Sequence, residues 1–124
     1  DIHQPLHVGR VEDRGGNDIK VKWFGNETNL HRVWDTHIID DFQMSYTELA
    51  KHLQNSFNIG DISLMTEDEW IDESQQLVNK VYLEVKDKDS LGYNYIYENF
   101  DIVKLQLFRA GVRLASTLNN IFDE

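Results

Sequence analysis

Between residues 17 and 24 the chain reads Asn-Asp-Ile-Lys-Val-Lys-Trp-Phe, and apolar and polar side chains alternate. Ile19, Val21 and Trp23 fall on one face and Lys20 and Lys22 on the other, the two-residue period of a short half-buried strand. Gly25-Asn26 ends it. Downstream the period becomes helical. Thr28 or Asn29 caps a helix to about Asp41. Ser45 with Glu48, and Thr66 with Glu69, have the spacing of capping boxes. They predict helices to about Phe57 and about Val85, the second with Trp70, Ser74, Leu77, Val78, Val81 and Val85 on one stripe. Lys86-Asp87-Lys88-Asp89-Ser90 reads as a charged loop. A last helix, from about Asn94 to Ile121, carries Val103, Leu107, Ala110, Leu114 and Leu118 at helical spacing. Gly111 inside it is about 1 kcal/mol less favourable than Ala, and close helix–helix contact is its expected use. Residues 1–16 read as the end of a helix followed by a loop, because Pro5, Gly9, Gly15 and Gly16 break regular structure.

No repeat or linker interrupts this pattern, so it predicts one mostly helical unit. Its 124 residues suit one domain, and 40% hydrophobic content with three Trp, five Tyr and six Phe is enough for a core. There is no apolar run of membrane-spanning length. The absence of cysteine excludes thiolate zinc sites, a Cys nucleophile and disulfides. The net charge of −10 is unusual for a nucleic-acid binder. Bound metal ions can offset it locally, because they are often the largest charges in a site.

The candidate chemistry lies in the first 35 residues. Asp1, His7, His31 and Asp35 are zinc-ligand types. On a helix His31 and Asp35 share one face about 5–6 Å apart, close enough to grip one ion. Alone, such a pair is more often a solvated helical pair. With Asp1 and His7 it argues for metal-assisted hydrolysis. The other polar groups have plainer readings. His3 suits a structural or supporting role, His37 faces elsewhere on its helix, and His52 suits the surface. Lys20 and Lys22 suit the solvated face of a strand. Arg14 suits loop bracing, Arg113 a structural ion pair and Trp34 the core.

Asp1-Ile-His-Gln-Pro-Leu-His7, Asp13-Arg-Gly-Gly-Asn-Asp-Ile19, Asn29-Leu-His-Arg-Val-Trp-Asp35, Trp70-Ile-Asp-Glu-Ser74 and Ala110-Gly-Val-Arg-Leu-Ala115 with Leu118-Asn119 occur in this order. In them the chain resembles the C-terminal part of the zinc-dependent S1/P1-type nucleases, related to bacterial zinc phospholipase C. The resemblance implies a mainly α fold, a helical bundle of the phospholipase C/P1 nuclease type with a short strand or hairpin near residues 17–24. It implies three zinc ions in the intact protein. Asp1 would bridge the two close ones and count among the catalytic residues; His7, His31 and Asp35 would hold the third. Asn17 would donate a hydrogen bond to phosphate or, with Asp18, orient the ligands.

The remaining family ligands are an N-terminal Trp, further His and one Asp, upstream of Asp1 in such enzymes. Residues 1–124 are therefore expected to be the C-terminal portion of a single zinc nuclease domain. One zinc site would be near-complete, a missing N-terminal segment would be the partner, and little cleavage is expected from the chain alone. Ile2, Leu6 and the last helix are expected to be unusually exposed where that segment is lacking. The implied reaction is hydrolysis of single-stranded DNA or RNA to 5′-phosphates, as an endonuclease or 3′-nucleotidase, in a secreted or periplasmic protein. A phospholipase C-like zinc phosphodiesterase and an inactive helical fragment are the alternatives.

Overall fold

The computed structural model describes residues 1–123. A 3-10 turn, Pro5–Val8, comes first, with Pro at its opening position and the Gln4 side chain accepting from the Leu6 N–H. Residues 1–4, ahead of it, are not helical. Proline has no N–H to lose at a first helical position, so it starts this turn rather than ending a helix. A hairpin follows, of β1 (Lys20–Trp23) and β2 (Asn26–Asn29). The turn between them has positive φ at Phe24 (49°) and Gly25 (81°), as a two-residue hairpin turn of matching twist requires. The strand expected over 17–24 thus begins at Lys20, and Asn26 opens its partner.

Asn29 caps the next helix, its side chain accepting from the Arg32 N–H. This helical segment is built from α1 (Leu30–Arg32), a π turn (Val33–His37) and α2 (Ile38–Asp41). At the π turn the Ile38 N–H reaches back to the Val33 carbonyl. Both capping boxes form as expected, heading α3 (Tyr46–Ser56) and α4 (Glu67–Val85). A two-residue strand, β3 (Ser90–Leu91), lies parallel to β1 and gives the sheet order β2-β1-β3. It falls at the edge of the stretch read as a loop and is too short to carry a period. α5 (Tyr93–Phe122) closes the chain.

The core joins Leu6, Val21, Leu30, Val33, Trp34, Ile38, Val78, Val81, Tyr82, Leu91, Tyr95 and Val103, so the 3-10 turn, sheet and helices share one interior. Leu6 is 1% exposed, against the expectation that it would be uncovered, because the 3-10 turn that carries it packs against α4. The expected exposure appears on α5, where Leu114, Leu118, Ile121 and Phe122 are all exposed. Gly111 shares that open face. A Cβ there would meet nothing within 4 Å, so among the described residues it makes no close helix contact. His52 is half-buried rather than on the surface, with Nε2 enclosed.

Candidate metal centre

The loop of residues 9–16 is held in place before any ligand is considered. The Tyr82 hydroxyl, on α4, donates to Asp13 Oδ1 at 2.9 Å and accepts from the Arg10 N–H at 3.0 Å. The same Asp13 oxygen accepts from the Gly16 N–H at 2.7 Å. Gly15 has φ +62°, and a Cβ there would stand 2.5 Å from the Leu6 carbonyl oxygen. Only glycine allows the loop to lie this close to the 3-10 turn.

His7 projects from that turn; His31 and Asp35 project from the helical segment behind the hairpin. His7 Nε2 lies 3.0 Å from Asp35 Oδ1, and His31 Nε2 lies 3.1 Å from Asp35 Oδ2. One donor atom from each residue falls within 4.8 Å of the others. The two imidazoles stack with centroids 5.1 Å apart. Tetrahedral zinc with bonds of 2.0–2.1 Å sets its donors about 3.3 Å apart; each imidazole nitrogen stands near that distance from a carboxylate oxygen, His7 from Oδ1 and His31 from Oδ2.

The hydrogen bonding suits an ion there. His31 Nδ1 is 2.8 Å from the Gly15 carbonyl oxygen. A carbonyl only accepts, so Nδ1 carries the proton and Nε2 presents its lone pair to a carboxylate oxygen. Two acceptors face each other there. The contact needs either a second ring proton or a cation shared between them. Backbone carbonyls commonly fix metal-binding histidines in this way. Gln4 Nε2 also donates to Asp35 Oδ1, at 2.7 Å. Burial alone would push the Asp35 carboxyl up. The hydrogen bonds from Gln4 and His7 and the charges of His31 and His7 outweigh it and hold the carboxyl below its ordinary range.

Asp1 approaches this group without joining it. Its Oδ1 is 3.9 Å from His7 Nδ1 and its side chain is 98% exposed. Asn17 stands apart. Its Nδ2 donates to the Arg14 carbonyl at 2.8 Å, and its side chain lines a hollow with Lys20 and Lys22. Asp18 pairs with Arg14 at 2.7 Å, so Arg14 braces its loop, and the side-chain bonds of Asn17 and Asp18 run within that loop. The hydrogen bonds that reach Asp35 and His31 from outside the group come instead from Gln4 and the Gly15 carbonyl, neither of which stands out in the sequence. Gln directly before a Pro that opens a turn was the one available signal for the first; a backbone carbonyl has none.

Two hollows flank the donors. One, of about 250 Å³, has an apolar wall that includes Pro5, Trp34, Val103 and Leu107. The other, of about 620 Å³, passes His7 and His31 and is lined by Arg10 and Arg14. Arg10 is set over the Tyr82 ring at 4.2 Å. His3 is buried at the smaller hollow. Its Nε2 is 2.8 Å from Arg113, its carbonyl accepts from Gln106, and burial together with the Arg113 charge lowers its pKa. His37 instead meets Thr28 at 3.1 Å and stacks on Trp23.

Comparison with known proteins gives a consistent result. The S1/P1 Nuclease family profile matches residues 1–123. The chain is 37% identical to Endonuclease 3 of Arabidopsis thaliana over 99% of its own length and 48% of the relative's. It is 34% identical to Endonuclease 1 of the same plant, over 100% of its length and 47% of the relative's. It is 47% identical to Nuclease S1 of Aspergillus oryzae over 47 residues, 38% of this chain and 16% of that one. The chain therefore spans about half the length of the plant relatives.

Proposed function

The chain belongs to the S1/P1 nuclease family, and on that footing we propose that it forms part of a zinc-dependent phosphodiesterase that hydrolyses single-stranded DNA and RNA to 5′-phosphates. The observation that carries this reading is the approach of His7 Nε2, His31 Nε2 and the Asp35 carboxylate, with the Gly15 carbonyl setting the His31 tautomer. Two nitrogens and an oxygen suit zinc, and three protein ligands at a partly exposed site leave a position open to substrate. When bound there, zinc polarises a phosphoryl oxygen and brings the pKa of water towards 7.

The protein groups have separate tasks in this reading. His7, His31 and Asp35 hold the ion. Arg10 gives the wider hollow a guanidinium group for phosphate oxygens. Asn17, beside Lys20 and Lys22, offers its amide to a phosphate further along the strand. Asp1 would offer its exposed carboxylate to the two close zinc ions when they are bound. Their remaining ligands would come from the part of the plant relatives' length that this chain does not span. That division of labour makes the chain alone a zinc binder with little or no nuclease activity. Among the described residues no helix is long and apolar enough to cross a membrane. Secretion or a periplasmic location remains part of the proposal.

Zinc titration of the 124-residue chain against a chromophoric chelator tests the reading. About one ion per chain is expected, lost in His31→Ala and in Asp35→Asn, because affinity depends on every ligand. In the intact protein the same substitutions should abolish release of 5′-phosphorylated products from single-stranded DNA. A wild-type chain that takes up no zinc, or equal uptake by the variants, would overturn the assignment. Robust chelator-sensitive cleavage by the chain alone would overturn the division of labour.

A further inference from the structure

Gln4 makes two hydrogen bonds with one amide group. Its Oε1 accepts from the Leu6 N–H at 2.6 Å, at the head of the turn that carries His7. Its Nε2 donates to Asp35 Oδ1 at 2.7 Å, spanning 31 residues of sequence. One planar group therefore ties together the two elements that supply the donors. The second bond is short and its acceptor is ionised, the stronger class of hydrogen bond.

The Asp35 carboxylate needs such a partner. The χ2 rotation of an aspartate is broad and roughly two-fold, so packing alone defines its plane poorly. Asp35 also lies in the π turn, where its backbone follows no regular α geometry. His7 lies on one carboxylate oxygen and His31 on the other, so rotation about χ2 would spoil both approaches at once.

We propose that Gln4 is a positioning residue of the metal site: it sets the plane of the Asp35 carboxylate and locks the His7 turn against it, so that the donors are assembled before an ion arrives. This rests on the reading that His7, His31 and Asp35 hold zinc. The two bonds can be separated by substitution. Asn at position 4 still caps the turn, since Asn is a good N-cap, but it is one methylene too short to reach Asp35. Ala removes both bonds.

The test uses the full chain and two probes, Zn²⁺ in competition with a chelator and Co²⁺ followed by its visible absorption. Gln4→Asn should leave the melting temperature of the metal-free chain near that of wild type, weaken zinc binding about 10–100-fold, as loss of a ligand-orienting partner does, and alter the cobalt band pattern. Gln4→Ala should show the same metal defect with a lower melting temperature. Cobalt and zinc uptake by wild type with unchanged affinity and spectrum in Gln4→Asn would overturn the role of Gln4 alone. Failure of wild type to bind either metal would overturn the zinc reading and this inference with it.

Discussion

Arg113 is 1% exposed and holds together the floor beneath residues 1–4. Its guanidinium meets Glu73 at 2.9 and 3.3 Å, donates to the Ser63 carbonyl at 3.0 Å and reaches His3 Nε2 at 2.8 Å. In Arg113→Met the stem volume is kept and the donors are lost. Removing one partner of a buried ion pair destabilises by about 3–5 kcal/mol, because the other charge is left uncompensated. Glu73 keeps a weaker partner in Arg109, at 3.5 Å, and its side chain is 17% exposed. Both features favour the lower end of that range. The Ser63 carbonyl and His3 each lose a donor, worth about 1 kcal/mol apiece. The expected loss is therefore about 5 kcal/mol, or roughly 15–30 °C in melting temperature at this chain length. Urea unfolding followed by tryptophan fluorescence would measure it as a lower midpoint with an unchanged slope. Adding Glu73→Leu should restore at least about 1 kcal/mol, since the stranded carboxylate is then gone. A single-variant loss below about 1 kcal/mol, or a double variant equal to the sum of the singles, would refute the reasoning.

Three further outcomes are expected. Tyr95→Phe removes the acceptor of the Trp34 indole N–H, a buried 2.9 Å bond, and should lower stability by about 1–3 kcal/mol in the same unfolding assay; no change would mean the indole finds another partner. Gly15→Ala forces a Cβ against the Leu6 carbonyl at φ +62°; it should destabilise by about 1–3 kcal/mol and, by moving the His31 partner, weaken zinc in the chelator titration, so wild-type values of both would count against the close approach. Burial opposes ionisation of Glu73, but Arg113, Arg109 and His3 outweigh it and hold the carboxyl below its ordinary 4.5. That stabilisation is fully present above 4.5 and disappears as pH falls through the lower folded value. Acid unfolding should therefore steepen below about pH 4.5 in wild type and flatten in Glu73→Gln; identical slopes would remove the ion pair from the account.

Local signals carried far along this chain because its chemistry is local. Ser45 with Glu48 and Thr66 with Glu69 satisfy backbone donors three residues away, so both helix starts were readable from adjacent letters. The strand at Lys20–Trp23 follows from two-residue alternation, and the residue types and spacing of His31 and Asp35 from helical geometry. Tertiary structure decided the rest. Leu6 is inside because the 3-10 turn packs against α4, and no periodicity reports that in a four-residue element. Gly111 is open because no described element reaches that face of α5. The π turn beneath Asp35 has no compositional mark, since it rests on which carbonyl the Ile38 N–H selects. Residue types announce which atoms can donate, accept or ligate. Which of them converge depends on contacts between segments far apart in the chain: Gln4 with Asp35, Gly15 with His31, Tyr82 with Asp13.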